Sequence, residues 1–362
     1  MPKAIGLITC NYTTTSKDDV FSGRPAASMP YLGRYRMVDF ALSNMVNAGI
    51  RSVGMIMPYN YRSLIDHVGS GKEWNLDRKN GGLFIMPGST LGVSRTGARF
   101  LIRDLVQNSE YLTKNHGKYV VLSSANFVAT IDLKDLIKKH EESGANITVL
   151  TQKAKKSNVD VVKFNIEDGI VRSMSTGVKL GDDAFLDYAI IDRDLLIELI
   201  DIFSPNDHLD LFEALNPEFS RIRVHAVEFD GYVAPIFDKD TYYESNIDLL
   251  TQEVLEELAP EGAKIMTKAH DTPPAKYEPG AKVSHSLIAS GDRIFGTVQG
   301  SVLGRNVTIE AGASVRDSVI MQGVVIGAGA QVENAIIDKN NVVPAGTELR
   351  GTDEHILYMR KN

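Results

Sequence analysis

Apolar residues change their spacing along this chain, and each spacing predicts a different architecture. Over the first two-thirds, short continuous apolar runs at 3–9, 52–57, 119–122 and 147–150 read as buried strands. Between them apolar positions fall at helical spacing. Met37, Phe40, Ala41 and Met45 do so within 36–47, followed by segments 62–68, 100–112 and 133–143, the last closed by Gly144 as a C-cap. Strand and helix alternate, which predicts a mostly parallel sheet with helices on both faces. The middle is more mixed. Segments 161–165 and 170–174 flank an Asp-Gly pair, the signature of a hairpin. Segments 186–191 and 223–229 read as strands, 193–203 and 242–250 as helices.

The last part follows another rule. Residues 267–279 carry Pro273, Pro274 and Pro279 and read as an extended linker. From Leu303 an aliphatic residue recurs at steps of mostly six: Leu303, Ile309, Val315, Met321, Ile326, Val332, Ile337, Val343, Leu349. Neither a helix nor an alternating strand has this period. A coil with three short flat faces per turn does, each face pointing one aliphatic residue inward, as in the hexapeptide β-helix. The expected organisation is an α/β domain over 1–266, a linker over 267–280 and a left-handed parallel β-helix over 281–362. Coil ends need cover, so the β-helix is expected to pack on a neighbouring domain or another subunit.

Composition narrows the function classes. With 362 residues each of two domains can bury its own core. The net charge of −7 argues against nucleic acid and anionic membrane as partners, since both reward clustered Lys and Arg. Cys10 is the only cysteine, so no internal disulfide forms and a reducing compartment is expected. The apolar run before Asn11 is too short for a signal peptide core or a membrane span. These features lead to the expectation of a cytoplasmic protein. The eight histidines show no metal-ligand spacing, and Trp74 and the methionines suit packing.

Three longer motifs carry more. They are GRYRMVDFALSNMVNAGI at 33–50, WNLDRKNGGLFIMPG at 74–88 and GYVAPIFDKDTYYESNIDLL at 231–250. Together with the β-helix they resemble the ADP-glucose pyrophosphorylases (glucose-1-phosphate adenylyltransferases) of bacterial glycogen synthesis, over nearly the whole chain. The resemblance implies a Rossmann-like, GT-A-like nucleotidyltransferase domain ahead of the β-helix.

Set against the family's active members, the chemistry is missing. Their glycine-rich phosphate loop lets backbone N–H groups approach the nucleotide. Here the loop is ITCNYTTTS, which includes Asn11 and has no glycine or arginine. The family's S-G-D-H run, whose Asp holds Mg²⁺, is matched by Ser124-Ala125-Asn126-Phe127. Its second metal Asp, in the G-Y-W-K-D match, becomes Pro235. The RAKPA segment is GRPAAS here, so that Arg24 is kept and Ala26 replaces its Lys. The basic E-K-P segment has no counterpart at 172–177, and SRTGARF at 94–100 lacks the active members' W-Y-x-G-T-A-D-A run. Mg²⁺ is commonly held by one or two carboxylates plus substrate phosphates, and both matched carboxylates are absent.

Within the family the pattern resembles the non-catalytic D-type regulatory subunit of Gram-positive bacteria. That resemblance implies a catalytic adenylyltransferase partner in a heterotetramer, Mg²⁺ for that partner, and no catalytic residue or cofactor for this chain. It also implies a sugar-phosphate or nucleotide effector held between the domains, for which Arg24, Arg34 and Arg36 are the candidates, the alternative for these arginines being a solvated or interface salt-bridge set. The alternative is a divergent active sugar-phosphate nucleotidyltransferase that recruits Asp132 or Asp238 for its metal, although Asp132 also suits the N-cap of the following helix. A scaffold outside glycogen metabolism is a further alternative. A hexapeptide acyltransferase is disfavoured, because no His occurs between Leu303 and Leu349.

Overall fold

The computed structural model describes residues 3–10, 19–21, 24–58, 60–88 and 98–361. Nine strands build the first domain's sheet: β1 (Ala4–Thr9), β2 (Ser52–Met57), β3 (Gly82–Pro87), β4 (Tyr119–Ser124), β5 (Ile147–Lys153), β6 (Asn158–Glu167), β7 (Ile170–Val178), β8 (Asp183–Asp192) and β9 (Val224–Glu228). Their order is β3-β2-β1-β4-β8-β5-β9-β7-β6. Only β7 and β8 run against the other strands, so the sheet is mostly parallel.

The helices are α1 (Met37–Asn47), α2 (Arg62–Val68), α3 (Ile102–Gln107), α4 (Ser109–Lys114), α5 (Leu133–Ser143), α6 (Arg193–Phe203), α7 (Leu211–Leu215), α8 (Lys239–Asp248) and α9 (Gln252–Leu258). Strand β1 is buried end to end because its alternate side chains meet different helices. Ala4 and Ile8 join a core with α1 and α5 residues such as Leu42 and Leu136. Ile5 and Leu7 join another with Leu105, Leu112 and Leu196 from α3, α4 and α6. The stretch expected as one helix over 100–112 is two. Asn108 breaks it, its Nδ2 donating to Asp104 O and Pro87 O, both at 2.8 Å. Asp168 and Gly169, at φ 51° and 74°, make the left-handed pair that a tight hairpin turn needs.

The β-helix has three parallel sheets of five, five and four strands. Val298, Val315, Val332 and Leu349 stack in register, each 17 positions after the last. A coil of 17 residues is one short of three six-residue faces, and this corrects one rung of the ladder. Ile320, not Met321, stacks between Leu303 and Ile337 inside the coil. Met321 faces outward and packs with Val319 and Ile336 against the first domain. The coil also begins earlier than expected. Lys276–Tyr277 already pairs with Arg293–Ile294, inside the span 267–280 read as linker, because the first coil strand carries too little aliphatic pattern to be seen.

The β-helix rests on its own N-terminal domain. Tyr31, Leu32, Met37 and Phe40 meet Tyr242 and Tyr243 of α8 and the outward face of the coils in one core. Tyr243 donates from its hydroxyl to Asp317 O at 2.6 Å, and Lys239 Nζ donates to Ile356 O at 3.0 Å. Gly33, at φ 67°, sits so close to the coil that a Cβ there would lie 2.5 Å from Leu303 O.

Candidate functional site

Strand β4 ends at Ser124, and the chain turns through Ala125 and Asn126 into a two-residue strand, Phe127–Val128. This strand pairs antiparallel with Ala234–Pro235. The two positions matched to metal-binding carboxylates are therefore neighbours at the carboxyl end of the sheet, where open α/β folds place their ligands. What they do there is structural. Asn126 is buried, its Nδ2 donates to Ile236 O at 3.2 Å, and its backbone O accepts from Ile236 N at 2.9 Å. Phe127 and Phe237 meet edge to face, with centroids 5.6 Å apart. A carboxylate cannot donate to a carbonyl, so an amide suits position 126 and a metal ligand does not. Pro235 brings no polar side chain.

The acids that could be recruited are occupied elsewhere. Asp132 caps α5, accepting from Lys134 N and Asp135 N at 2.9 and 3.1 Å. Asp238 caps α8, accepting from Thr241 N at 2.7 Å. Sequence reasoning missed a third acid. Asp187, fully buried at φ 57°, accepts from Ser124 Oγ at 2.7 Å and Arg99 Nε at 2.8 Å. Burial pushes its carboxyl up to about 6 against the pull of Arg99 and Ser124. Asp187 is thus held by an arginine that also lies over the Phe237 ring. Among the described residues no group of three or more His, Cys, Asp or Glu is placed to hold a metal ion. The donors around Asn126 and Pro235 do not fit Mg²⁺. Ala26 lies half-buried in a short turn, Ala26–Ser28, while Asn11 falls outside the described residues.

A second polar region lies in the seam between the domains. Arg24, a candidate phosphate ligand from its motif, is instead a latch. Its Nη1 and Nη2 donate to Asp338 Oδ1 and Oδ2 at 2.8 and 3.0 Å, with both side chains almost fully buried. Burial alone would raise the Asp338 carboxyl, but Arg24, Lys339 N and the Tyr358 hydroxyl hold it below the usual range. Arg34 is exposed and lies 5.0 Å over the Tyr35 ring. Arg36 is half-buried, with Nη1 donating to Ser63 O at 2.6 Å. Burial lowers the pKa of Arg36, and the charge of Arg305 lowers it further. Burial and Arg34 do the same to Arg305.

Lys339 completes this face. Burial, then Arg36 and Arg24, pull its ammonium down to about 7. Its Nζ has no hydrogen-bond partner among the described residues. Arg36 thus feels the charge of Arg305, Arg305 that of Arg34, and Lys339 that of Arg36, while the Asp39 carboxylate offsets part of this at Arg36 and Arg305. Such a cluster is relieved by a bound anion. Arg305 and Lys339 come from the coils, roughly 270 and 300 positions from Arg34, and no local signal in the sequence joins them to it.

A nucleotidyl transferase family profile matches residues 22–175, and a GlmU-like C-terminal hexapeptide profile matches 272–356. The glycogen biosynthesis protein GlgD of Bacillus subtilis (strain 168) is 33% identical over 359 residues, 99% of this chain and 95% of that protein. The protein of the same name from Geobacillus stearothermophilus is 33% identical over 316 residues, 86% of this chain and 83% of its own. The glucose-1-phosphate adenylyltransferase of Thermotoga neapolitana is 31% identical over 302 residues, 80% and 70% of the two chains. This chain belongs to the glucose-1-phosphate adenylyltransferase family. In this member of the family the Asn126 side chain and backbone both bond Ile236. Among the described residues of this glucose-1-phosphate adenylyltransferase relative, no helix is long and apolar enough to cross a membrane.

Proposed function

We propose that this protein is the non-catalytic regulatory subunit of a glucose-1-phosphate adenylyltransferase in bacterial glycogen biosynthesis. It assembles with a catalytic subunit, as a heterotetramer, and raises that subunit's conversion of ATP and glucose-1-phosphate to ADP-glucose. The observation that carries this reading is the Asn126 side chain donating to Ile236 O beside Pro235, where a nucleotidyl-transfer site needs carboxylates. Removing one preorganised donor typically costs about 3–4 kcal/mol of transition-state stabilisation, and loss of the metal costs more. The names of the relatives support the pathway. The retained seam and β-helix support a role that uses the fold's exterior.

The converging cations support effector control. A phosphate of a sugar phosphate or nucleotide is held by Arg34 and Arg36 together with Arg305 and Lys339, while Arg24 keeps the domains in register. Assembly acts on the partner through a coupling of roughly 1–3 kcal/mol. The test is ADP-glucose formation with Mg²⁺ by this chain alone, by the catalytic subunit alone and by the two co-expressed. The expected result is silence alone and a raised rate or altered effector response in the mixture. Turnover by this chain alone overturns the reading.

A further inference from the structure

A cavity opens beside the Asn126 turn and its pairing with Pro235. It measures about 380 Å³ and reaches from Phe127 and Pro235 to the β5–β6 connection and the α8 and α9 helices. Its buried walls are Phe127, Val161, Val178 and Leu186, together with the ring of Tyr232, and half-buried Val233 lies beside them. Exposed Lys155, Ser157, Asp248 and Glu257 stand at the rim, while other polar side chains of the lining are paired. Gln152 Nε2 donates inward to Phe229 O and Gly231 O at 3.0 and 2.8 Å. Lys153 pairs with Asp183 at 2.6 Å. Lys156 reaches across the mouth to Glu244 at 2.8 Å, joining the β5–β6 connection to α8. The apolar lining also continues outward. Val159, two positions before Val161 and so on the same strand face, is 76% exposed, and Leu180, just past Val178, is 74% exposed.

We infer that this cavity binds a small, predominantly apolar organic molecule and not a sugar phosphate or nucleotide. A ligand rich in hydroxyls would leave water for buried walls made mainly of Val161, Val178, Leu186 and Phe127, with polar groups confined largely to the rim. An apolar body of one or two rings gains the burial, and its polar end stays at the mouth beside the Lys156–Glu244 bridge. The volume lies in the range of small-molecule sites. The inference does not depend on a catalytic partner, and its test reads binding to this chain alone.

The probe is 1-naphthol, titrated into the full chain with methyl groups of Val161, Val178 and Leu186 observed by NMR. Calorimetry supplies the affinity. Saturable shifts confined to these methyls are expected, with ATP and glucose-1-phosphate leaving them unmoved. Val233→Arg, on a half-exposed wall, is expected to weaken 1-naphthol about tenfold or more. Ala184→Phe, which fills the floor, does the same and serves as the second variant if the first lowers thermal stability. Saturable methyl shifts with glucose-1-phosphate or ATP overturn the inference. So does the absence of saturation by 1-naphthol up to its solubility limit.

Discussion

The closed site at Asn126 and the seam between the domains lie on one scaffold, yet their polar groups are arranged in opposite ways. At the Asn126 site most of the polar side chains bond one another, with Asp187 Oδ1 left without a hydrogen bond. Asn126 bonds Ile236, Ser124 bonds Asp187, and Asp187 bonds Arg99. At the seam Arg24 is paired with Asp338, and beside it Arg36, Arg305 and Lys339 carry positive charge that neighbouring arginines oppose and Asp39 only partly offsets. A self-satisfied network holds shape and a frustrated one awaits a ligand. The proposed effector control rests on this contrast, at the domain boundary rather than at the end of the sheet.

The largest expected effect comes from the one satisfied pair of the seam. Arg24→Leu leaves Asp338 buried and unpaired, and is expected to cost about 3–5 kcal/mol in urea unfolding. The pH dependence supplies the sign. With Arg24 present the folded pKa of Asp338 lies below its unfolded value near 3.8, so its contribution is full above that pH and is lost as pH falls through the folded value. Without Arg24, burial holds Asp338 above 3.8, and stability instead declines as pH rises through that range. An unchanged acid limb would dissolve the distinction between latch and cluster. Next in size is Gly33→Val. Left-handed backbone and a Cβ driven onto Leu303 O together are expected to cost roughly 2–4 kcal/mol, read by the same denaturation.

The double change Asn126→Asp with Pro235→Asp puts the family's carboxylates back. Because a carboxylate at 126 faces Ile236 O, we expect a stability loss of about 1–3 kcal/mol and no magnesium-dependent ADP-glucose synthesis. Recovered turnover would mean that the network is a removable plug. The smallest effect sharpens the other side. Lys339→Met is expected to weaken binding of a phosphate-bearing effector about tenfold. In the parent protein that binding falls as pH rises through about 7, where Lys339 loses its proton. Without ligand, the unfolded chain keeps this proton up to about 10.5, so stability climbs with pH between the two values, and Lys339→Met removes the climb.

Much of the fold was legible because its signals are local. Continuous apolar runs marked β1 and β2, Gly144 marked the end of α5, and a six-residue step marked the coils. Errors fell where a tertiary count overrode a local pattern. Met321 fits the step, but a 17-residue coil puts Ile320 inside. Asn108 looks unremarkable until its amide finds Pro87 across the fold. The candidate sites divided in the same way. Asn126 and Pro235 could be named from their motifs, and the structure brings them together. Arg24 could be named too, and an interface salt bridge was one reading of it, but its partner Asp338, more than 300 residues away, carries no local signal. Arg305, Lys339 and Asp187 carry no motif, and only folding sets them beside the rest.

The amide of Asn126 bears on history as well as on stability. A mutation restoring the acid at 126 must break the bond to Ile236 before a companion at 235 can offer a second ligand, so the first step is unfavourable and unrewarded. Each further side chain that settles around the closed pair, as Phe127 and Phe237 have, makes retreat steeper. If the chain is the regulatory subunit proposed above, the substitution acts as a ratchet that keeps it dependent on a catalytic partner.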